Sequence, residues 1–308
     1  MTGWNAHDIP DLTGRTAVVT GANSGLGYVT ARELARKGAR VVLACRSEAR
    51  GRAAVDRVLN EVPGAAAGFG RLDLGDLASV RDFADGLSYD RLDLLVNNAG
   101  VMAPPYGTTA DGFETQFGVN HLGHFALTGL LMPALLAAPG ARVVTVSSTM
   151  HALANIDLRD PNSEHRYRRW IAYARSKTAN LLFTHELARR LAATGADVIA
   201  AAAHPGYAAT NLQTAGPRAE GRRGAERLME LANRLFAQPA ETGALPALYA
   251  ATAPDVRPDS FFGPAFAMWR GAPEPSWRAP WTRNDEAGLR LWDASVQLTG
   301  VPYDLLKG

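Results

Sequence analysis

The amino-acid sequence predicts an α/β protein: a doubly wound, Rossmann-type parallel sheet of about seven strands with helices on both faces. Three observations lead to this prediction. Short runs rich in β-branched residues alternate with longer helix-like stretches, as strands do when crossover helices join them. The runs are apolar throughout, which is typical of strands covered on both faces. A glycine-rich segment also separates the first run from the first helical stretch.

The elements follow in a regular order. Strands are predicted at 16–20, 40–45, 69–72, 92–96, 142–147 and 197–203. Helices are predicted at 25–37, 47–61, 76–87, 111–137, 167–193, 220–236 and 241–251. Beyond Pro205 proline and tryptophan become frequent, so we expect loops and short helices there. We therefore predict one domain, with a cofactor-binding core at 14–204, a substrate-binding lobe at 205–283 and a C-terminal helix and tail at 284–308.

Composition argues against several functional classes. The 308 residues are 47% hydrophobic, and 32 Lys and Arg against 30 Asp and Glu give a net charge of +2. The basic clusters are short, so we expect no nucleic-acid partner. The chain opens without a signal-like segment, and Thr128, Gly129 and Pro133 interrupt its most apolar window, so we expect neither export nor a membrane span. The single cysteine, Cys45, cannot form an intramolecular disulfide, which favours a cytoplasmic protein.

Three glycines follow the first predicted strand with the spacing G-x-x-x-G-x-G, from Gly21 to Gly27. Glycine allows a sharp turn close to a ligand, and the free N–H groups of the following helix attract a pyrophosphate. The spacing departs from the G-x-G-x-x-G dinucleotide fingerprint, and a plain glycine-rich turn is the alternative. Its place at the first crossover favours a dinucleotide site.

Arg46 follows the second predicted strand, where an NAD-binding fold usually places a carboxylate. Without that carboxylate nothing repels a 2′-phosphate, and a guanidinium can bind one, so this position predicts NADP(H). A solvated surface arginine is the alternative. Asp73 follows the third strand, where it caps either the adenine edge or a turn.

The residues that carry most of the chemistry are Ser148, Tyr173 and Lys177. Tyr173 and Lys177 are four positions apart in a predicted helix and share a face, while Ser148 follows a predicted strand. An ammonium about 4 Å from a phenol is worth roughly 4 kcal/mol at an effective dielectric near 20, before the cost of desolvation is subtracted. We therefore expect Lys177 to lower the pKa of Tyr173 and Ser148 to hold a substrate oxygen within its reach.

With Asn97-Asn98-Ala99-Gly100, Asn120, Pro205-Gly206 and Thr210, these motifs resemble the standard form of the short-chain dehydrogenase/reductase family. Ala44-Cys45-Arg46 and the long interval between Ser148 and Tyr173 resemble its retinol dehydrogenase and protochlorophyllide reductase-like branch. The resemblance implies NADP(H)-dependent hydride transfer between a carbonyl and an alcohol. It also implies that Lys177 binds the nicotinamide ribose and that Asn120 holds a water connecting Lys177 to solvent.

The predicted site residues fall into three groups. The catalytic group is Asn120, Ser148, Tyr173 and Lys177. The cofactor group is Gly21, Asn23, Ser24, Gly25, Leu26, Gly27, Arg46, Asp73, Leu74, Asn98, Ala99, Gly100, Tyr173, Lys177, Pro205, Gly206 and Thr210. The substrate group is His151, Tyr207, Leu212 and Phe266, with a loop hydrogen bond as the alternative for His151. No metal is expected, because His121 and His124 have no suitably spaced third ligand.

Apolar and aromatic side chains after Pro205 favour a bulky, largely apolar ketone, aldehyde or alcohol as substrate over a small polar metabolite. Two other functions stay open: a regulator that senses NADP(H) without catalysis, and a sugar-nucleotide epimerase or dehydratase. The first usually lacks the tyrosine or the lysine, and the second has a differently spaced glycine loop. A homo-oligomer, dimer or tetramer, is also left open.

Overall fold

A computed structural model describes residues 3–88, 90–206 and 239–306. Its centre is one eight-stranded sheet in the order β3-β2-β1-β4-β5-β6-β7-β8. The strands are β1 Thr16–Thr20, β2 Arg40–Cys45, β3 Ala66–Arg71, β4 Leu94–Asn97, β5 Ala141–Val146, β6 Val198–Ala203, β7 Phe261–Phe266 and β8 Arg270–Pro275. All neighbours pair in parallel except β7 and β8, which are antiparallel. The predicted doubly wound sheet is confirmed, with eight strands rather than about seven.

The described helices cover both faces of the sheet. They are α1 Gly25–Arg36, α2 Glu48–Glu61, α3 Leu77–Asp85, α4 Thr115–Phe117, α5 Gly123–Leu130, α6 Met132–Leu136, α7 Arg169–Ala193, α8 Ala240–Thr252 and α9 Asp285–Thr299. Successive strand residues point to opposite faces, so Val18 joins a core with α5 and α7, while Val19 joins a core with α1 and α8. Among the helices described, none is long and apolar enough to cross a membrane.

The prediction of one long helix at 111–137 is wrong. This part of the chain forms four separate elements: α4, a π-helical turn over Gly118–Leu122, α5 and α6. Two glycines allow this irregular segment to pack closely against neighbouring parts of the chain. A Cβ on Gly118 would lie 2.4 Å from Thr109 Cγ2, and one on Gly123 would lie 2.4 Å from the Leu74 carbonyl oxygen. Pro133, which has no N–H to donate, lies in the first turn of α6.

The prediction of loops and short helices beyond Pro205 is only partly right. The helix predicted at 241–251 is α8, and the one predicted at 220–236 lies outside the described residues. The prediction is wrong for β7 and β8, which extend the main sheet through Phe261 and Phe262 paired with β6. The three prolines of these strands, Pro264, Pro273 and Pro275, hide the strand pattern.

One side chain, His185, connects three elements on the outer side of α7. Its Nδ1 lies 2.9 Å from Asp259 Oδ2, just before β7, and its Nε2 lies 2.8 Å from Asp285 Oδ1 at the start of α9. Arg278 also contacts Asp259, and Arg189 lies 3.4 Å from Asp285. The hydrogen bond to Asp259 is the main cause of a raised pKa for His185.

This arrangement predicts a pH-dependent stability. A histidine whose pKa is raised on folding stabilises the protein fully below its unfolded pKa, about 6.5, and that contribution is lost as pH rises through the folded pKa. We expect His185→Gln to have a lower free energy of unfolding than the wild type near pH 6. This difference in free energy should become smaller as the pH rises towards 9. Urea unfolding at both pH values measures this, with the exposed His165→Gln as control. An equal loss at pH 6 and pH 9 would contradict it.

Candidate active site

The predicted catalytic residues and most of the predicted cofactor residues lie near the carboxyl ends of β1, β2, β4 and β5, with β1 and β4 adjacent at the point where the strand order reverses. Ligands of open α/β sheets bind at such a point. The glycine loop follows β1, Arg46 follows β2, Asn98 to Gly100 follow β4, and Ser148 follows β5 by two residues. Tyr173 and Lys177 reach the same edge from α7.

The glycine loop has the properties of a phosphate cradle. Gly21 and Gly25 have φ of +67° and +56°, where other residues are strained. A Cβ on Gly27 would lie 2.4 Å from Asn98 Nδ2, whereas nothing lies within 4 Å of one on Gly25, so the loop is open on that side. The Ser24 side chain makes no capping bond to α1, which leaves the helix N-terminus available to an anion.

The exposure of the other predicted residues of the glycine loop is consistent with a loop that is open to a ligand. Asn23, Ser24, Gly25 and Leu26 are partly exposed, and Gly27 is buried. The twelve residues of α1 direct the positive end of their dipole at the loop. The residues present therefore fit the pyrophosphate of a dinucleotide.

Thr20 joins this loop to the segment after β4. Its hydroxyl oxygen accepts hydrogen bonds from the N–H groups of Asn98 and Ala99, both at 2.9 Å. Asn98 Nδ2 in turn donates to the Thr20 carbonyl at 2.7 Å. A Cβ on Gly21 would approach Ala99 to 3.0 Å, so the two loops lie against each other.

Arg46 is exposed at the end of β2, and its Nε lies 3.8 Å from Asp73 Oδ2. Asp73 Oδ1 accepts from the Gly75 N–H at 3.0 Å, so the carboxylate also caps its own turn. Leu74 is buried beside α5. Sequence reasoning missed Arg50, which lies in the first turn of α2 close enough to Cys45 to affect the pKa of that thiol.

Asn120 lies in the π-helical turn and is fully buried. Its Oδ1 accepts from the Val101 N–H at 2.7 Å, and its Nδ2 donates to the Val101 carbonyl at 3.0 Å and to Ser176 Oγ at 2.9 Å. The amide therefore fastens the segment after β4 to α7, beside Gly100 and Lys177. A Cβ on Gly100 would lie 3.1 Å from Asn120 Oδ1 and 3.6 Å from Lys177 Nζ.

The structure brings Ser148, Tyr173 and Lys177 together. Lys177 Nζ lies 5.7 Å from the centre of the Tyr173 ring and donates to the Val146 carbonyl at 3.1 Å. Ser147 Oγ donates to the Lys177 carbonyl at 2.8 Å, and Asn180 Nδ2 donates to Val146 at 3.0 Å. These bonds hold α7 against the end of β5.

The pKa of Tyr173 differs from the expectation. Burial raises the pKa of Tyr173 to about 12, and the Ser148 side chain opposes this without reversing it. Burial also lowers the pKa of Lys177 to about 8. The expected lowering of the pKa of Tyr173 by Lys177 is therefore not seen, because both groups are buried and the ammonium is bonded to the Val146 carbonyl.

The predicted substrate residues do not all converge. His151 is buried, its Nδ1 donates to the Ser148 carbonyl at 2.6 Å, and its Nε2 accepts from the Ala279 N–H at 3.1 Å, which favours the loop hydrogen bond. Phe266 is 67% exposed on β7, near the hairpin to β8. Tyr207, Thr210 and Leu212 lie outside the described residues.

Pro205 and Gly206 follow β6 and are the last described residues before position 239. Gly206 has φ of +64°, and a Cβ there would lie 2.3 Å from the Trp269 carbonyl oxygen. Its N–H donates to His204 Nδ1 at 3.1 Å. This turn therefore lies against the hairpin of β7 and β8.

The two histidines near Asn120 have separate protein partners. His121 Nε2 bonds to Ser295 Oγ at 2.8 Å, and His124 bonds to Thr20 and to the Asn120 carbonyl. Burial lowers the pKa of His121 to about 3 and that of His124 to about 4. Across the described ranges no group of three His, Cys, Asp or Glu side chains is placed to hold a metal.

Sequence reasoning also missed a clasp centred on Gln116. Its Oε1 accepts from the Ala103 N–H at 2.8 Å, and its Nε2 donates to Tyr167 Oη at 2.9 Å and to the Arg169 carbonyl at 3.0 Å. Tyr167 Oη donates to the Pro104 carbonyl at 2.7 Å. The partners lie far from Gln116 in sequence, so no local pattern indicates them.

The clasp borders a cavity of about 560 Å³ beside the start of α7. Its lining is rich in aromatic and basic side chains: Pro105, Tyr106, Tyr167, Arg168, Arg169, Trp170 and Ile171. Trp170 precedes Tyr173 by three positions and therefore lies one turn away on the same side of α7. Trp170 thus connects the lining of this cavity to the part of α7 that carries Tyr173.

A family model for short chain dehydrogenase matches residues 15–220, which include the glycine loop, Ser148, Tyr173 and Lys177. This chain belongs to the short-chain dehydrogenase family. Human retinol dehydrogenase 12 is 42% identical over 298 residues, covering 95% of this chain and 89% of that protein. This short-chain dehydrogenase therefore resembles the retinol dehydrogenase branch.

Solved structures also show the similarity of this chain to other proteins. An uncharacterized protein from Mycobacterium Paratuberculosis is 46% identical with a TM-score of 0.82, covering 98% of this short-chain dehydrogenase and 99% of that chain. A short chain dehydrogenase structure from Escherichia coli CFT073, complexed with NADPH, is 25% identical with a TM-score of 0.59 over 79% of this chain and 92% of that one.

Proposed function

We propose that this oxidoreductase uses NADP(H) to interconvert a carbonyl and an alcohol, and that it favours a bulky, largely apolar substrate. The observation that carries the proposal is the grouping of Asn120, Ser148, Tyr173 and Lys177 beside the open glycine loop. We also propose that the enzyme acts in the cytoplasm, which its one buried free thiol, Cys45, favours.

Each residue has a role that its position allows. Bound NADPH would supply the hydride. The Tyr173 hydroxyl then donates a proton to the substrate oxygen, while the Ser148 hydroxyl holds that oxygen by a hydrogen bond. Lys177 places a positive charge beside the phenol and stabilises the phenolate that proton donation leaves behind. Asn120 fixes the position of α7 relative to the segment after β4.

The 2′-phosphate of NADP(H) has two cationic partners in this proposal. Arg46 is exposed at the end of β2, and Arg50 lies in the first turn of α2, whose N-terminus also attracts an anion. The Escherichia coli relative with NADPH bound supports the choice of nucleotide. A phosphate would compete with Asp73 for Arg46.

The aromatic cavity supports a bulky substrate. Tyr106 and Tyr167 contact each other edge to face with ring centres 5.3 Å apart, and Trp170 is 43% exposed beside them. We assign these rings to the outer wall of the substrate site. Aromatic faces bind apolar carbon better than hydroxylated carbon.

Replacing Tyr173 by Phe tests the reaction. The ring packing is kept and the proton donor is lost, so kcat should fall at least about a hundred-fold while NADPH still binds. Turnover of NADPH with a panel of carbonyls, together with an NADPH titration, measures both effects. Near-normal activity in Tyr173→Phe would contradict the catalytic assignment, and a wild type that binds NADPH without turning over any carbonyl would indicate a sensing protein.

The Arg46→Ala variant tests nucleotide choice. A charge-assisted contact to phosphate is worth about 1.5–3 kcal/mol, so the Kd for NADPH should rise roughly ten- to a hundred-fold. The Kd for NADH should barely change, because NADH lacks the phosphate. Arg52→Ala, an exposed arginine of α2 paired with Glu48, is the matched control. The assignment is wrong if the wild type binds NADH as tightly as NADPH.

The Trp170→Ala variant tests the substrate wall. Loss of one aromatic contact costs roughly 1 kcal/mol, so KM for a bulky aryl ketone should rise about five-fold. KM for a small aliphatic aldehyde should not change, and Trp170→Phe should restore most of the affinity. If both substrates respond equally to Trp170→Ala, Trp170 does not contact the bulky group.

A further inference from the structure

His124 lies between the cofactor loop and the catalytic Asn120. Its side chain is buried, with 1% of the residue exposed, and it lies one helical turn after Asn120. Its Nδ1 lies 3.0 Å from the Asn120 carbonyl oxygen, and its Nε2 lies 2.9 Å from Thr20 Oγ1. One ring therefore contacts both the catalytic turn and the end of β1.

The two partners determine which nitrogen carries the proton. A carbonyl oxygen can only accept, so Nδ1 must be the N–H donor to Asn120. A neutral imidazole has one N–H, and Nε2 is therefore an acceptor for the Thr20 hydroxyl. The low pKa of His124, about 4, keeps the ring neutral at working pH.

This proton assignment completes the bonding of Thr20. Its single hydroxyl hydrogen points to His124, because the other acceptor in reach, the Val96 carbonyl, is farther away at 3.4 Å. Its oxygen remains free to accept the N–H groups of Asn98 and Ala99. The imidazole thus fixes the hydroxyl orientation that the cofactor loop requires.

We propose that His124 is a positioning residue with two separate roles: its Nε2 orients the cofactor loop through Thr20, and its Nδ1 holds the Asn120 backbone beside the catalytic group. The Nε2 side supports nucleotide binding, since it orients the hydroxyl that holds Asn98 and Ala99. The Nδ1 side supports proton transfer, since it fixes the Asn120 backbone beside Lys177. The inference rests on the proposed reaction, which supplies its kinetic readout.

Two substitutions separate these two sides. In His124→Asn the amide nitrogen occupies the place of Nδ1, so the bond to Asn120 is kept and the acceptor for Thr20 is lost. In His124→Gln the amide oxygen reaches the place of Nε2, so the opposite bond is kept. We expect the Kd for NADPH to rise about ten-fold in the Asn variant with little change in kcat. We expect kcat to fall about ten-fold in the Gln variant, with a shifted pH profile and little change in Kd.

His121→Gln is the matched control. His121 is buried in the same segment but bonds to Ser295 of α9, so its loss should lower the melting temperature without separating kcat from Kd. If both His124 variants lower only the melting temperature, or each changes Kd and kcat together, the separate roles of the two ring nitrogens are wrong. If the wild type shows no turnover, the proposed reaction is wrong instead. Measurement of the Kd for NADPH would then still test whether His124 Nε2 orients Thr20.

NMR of wild-type protein labelled with 15N-histidine gives a test that needs no variant to fold. The backbone-assigned His124 ring should carry its hydrogen on Nδ1, with Nε2 unprotonated, from pH 6 to pH 9. NADPH should shift the Nε2 signal. A hydrogen on Nε2, or a ring that titrates in this range, would overturn the proposal.

Discussion

One buried amide, that of Asn120, fixes the geometry on which the site depends. A buried amide must satisfy its donors and acceptor within the protein, because an unpaired group costs about 1–3 kcal/mol. Asn120 does so with partners from two other parts of the chain, Val101 and Ser176. The π-helical turn that presents this amide is a local irregularity of a kind often found at functional sites. The broken helix is therefore part of how the site is built.

Burial controls the chemistry of the groups around that amide. Tyr173, Lys177 and His124 all lie in the interior, where the charged form of each group is disfavoured. The phenol and the imidazole are consequently neutral near pH 7, while the ammonium of Lys177 is easier to deprotonate than in water. Proton donation from the buried phenol thus depends on the Ser148 hydrogen bond and on the positive charge of Lys177 near the ring.

The sequence was sufficient to predict the strands from β1 to β6 and the position of the glycine loop, because these depend on local patterns repeated along the chain. It was insufficient where distant segments decide the outcome. The break around Asn120 depends on Val101 and Ser176, and the Gln116 clasp depends on Tyr167. The direction of the Tyr173 pKa depends on burial, which spacing does not give.

The antiparallel strand β8 has a consequence for the edge of the sheet. Ser276 donates its N–H to Phe261 of β7, so the nitrogens of residues 275 and 273 face away from β7. Both are prolines and have no hydrogen to offer, so this stretch of edge cannot donate to an added strand. A strand of a second copy meeting this edge could bond only to the carbonyl oxygens of Pro273 and Pro275, so half of the ladder hydrogen bonds would be missing there. The prolines that hide the strand in the sequence thus disfavour strand addition at the β8 edge.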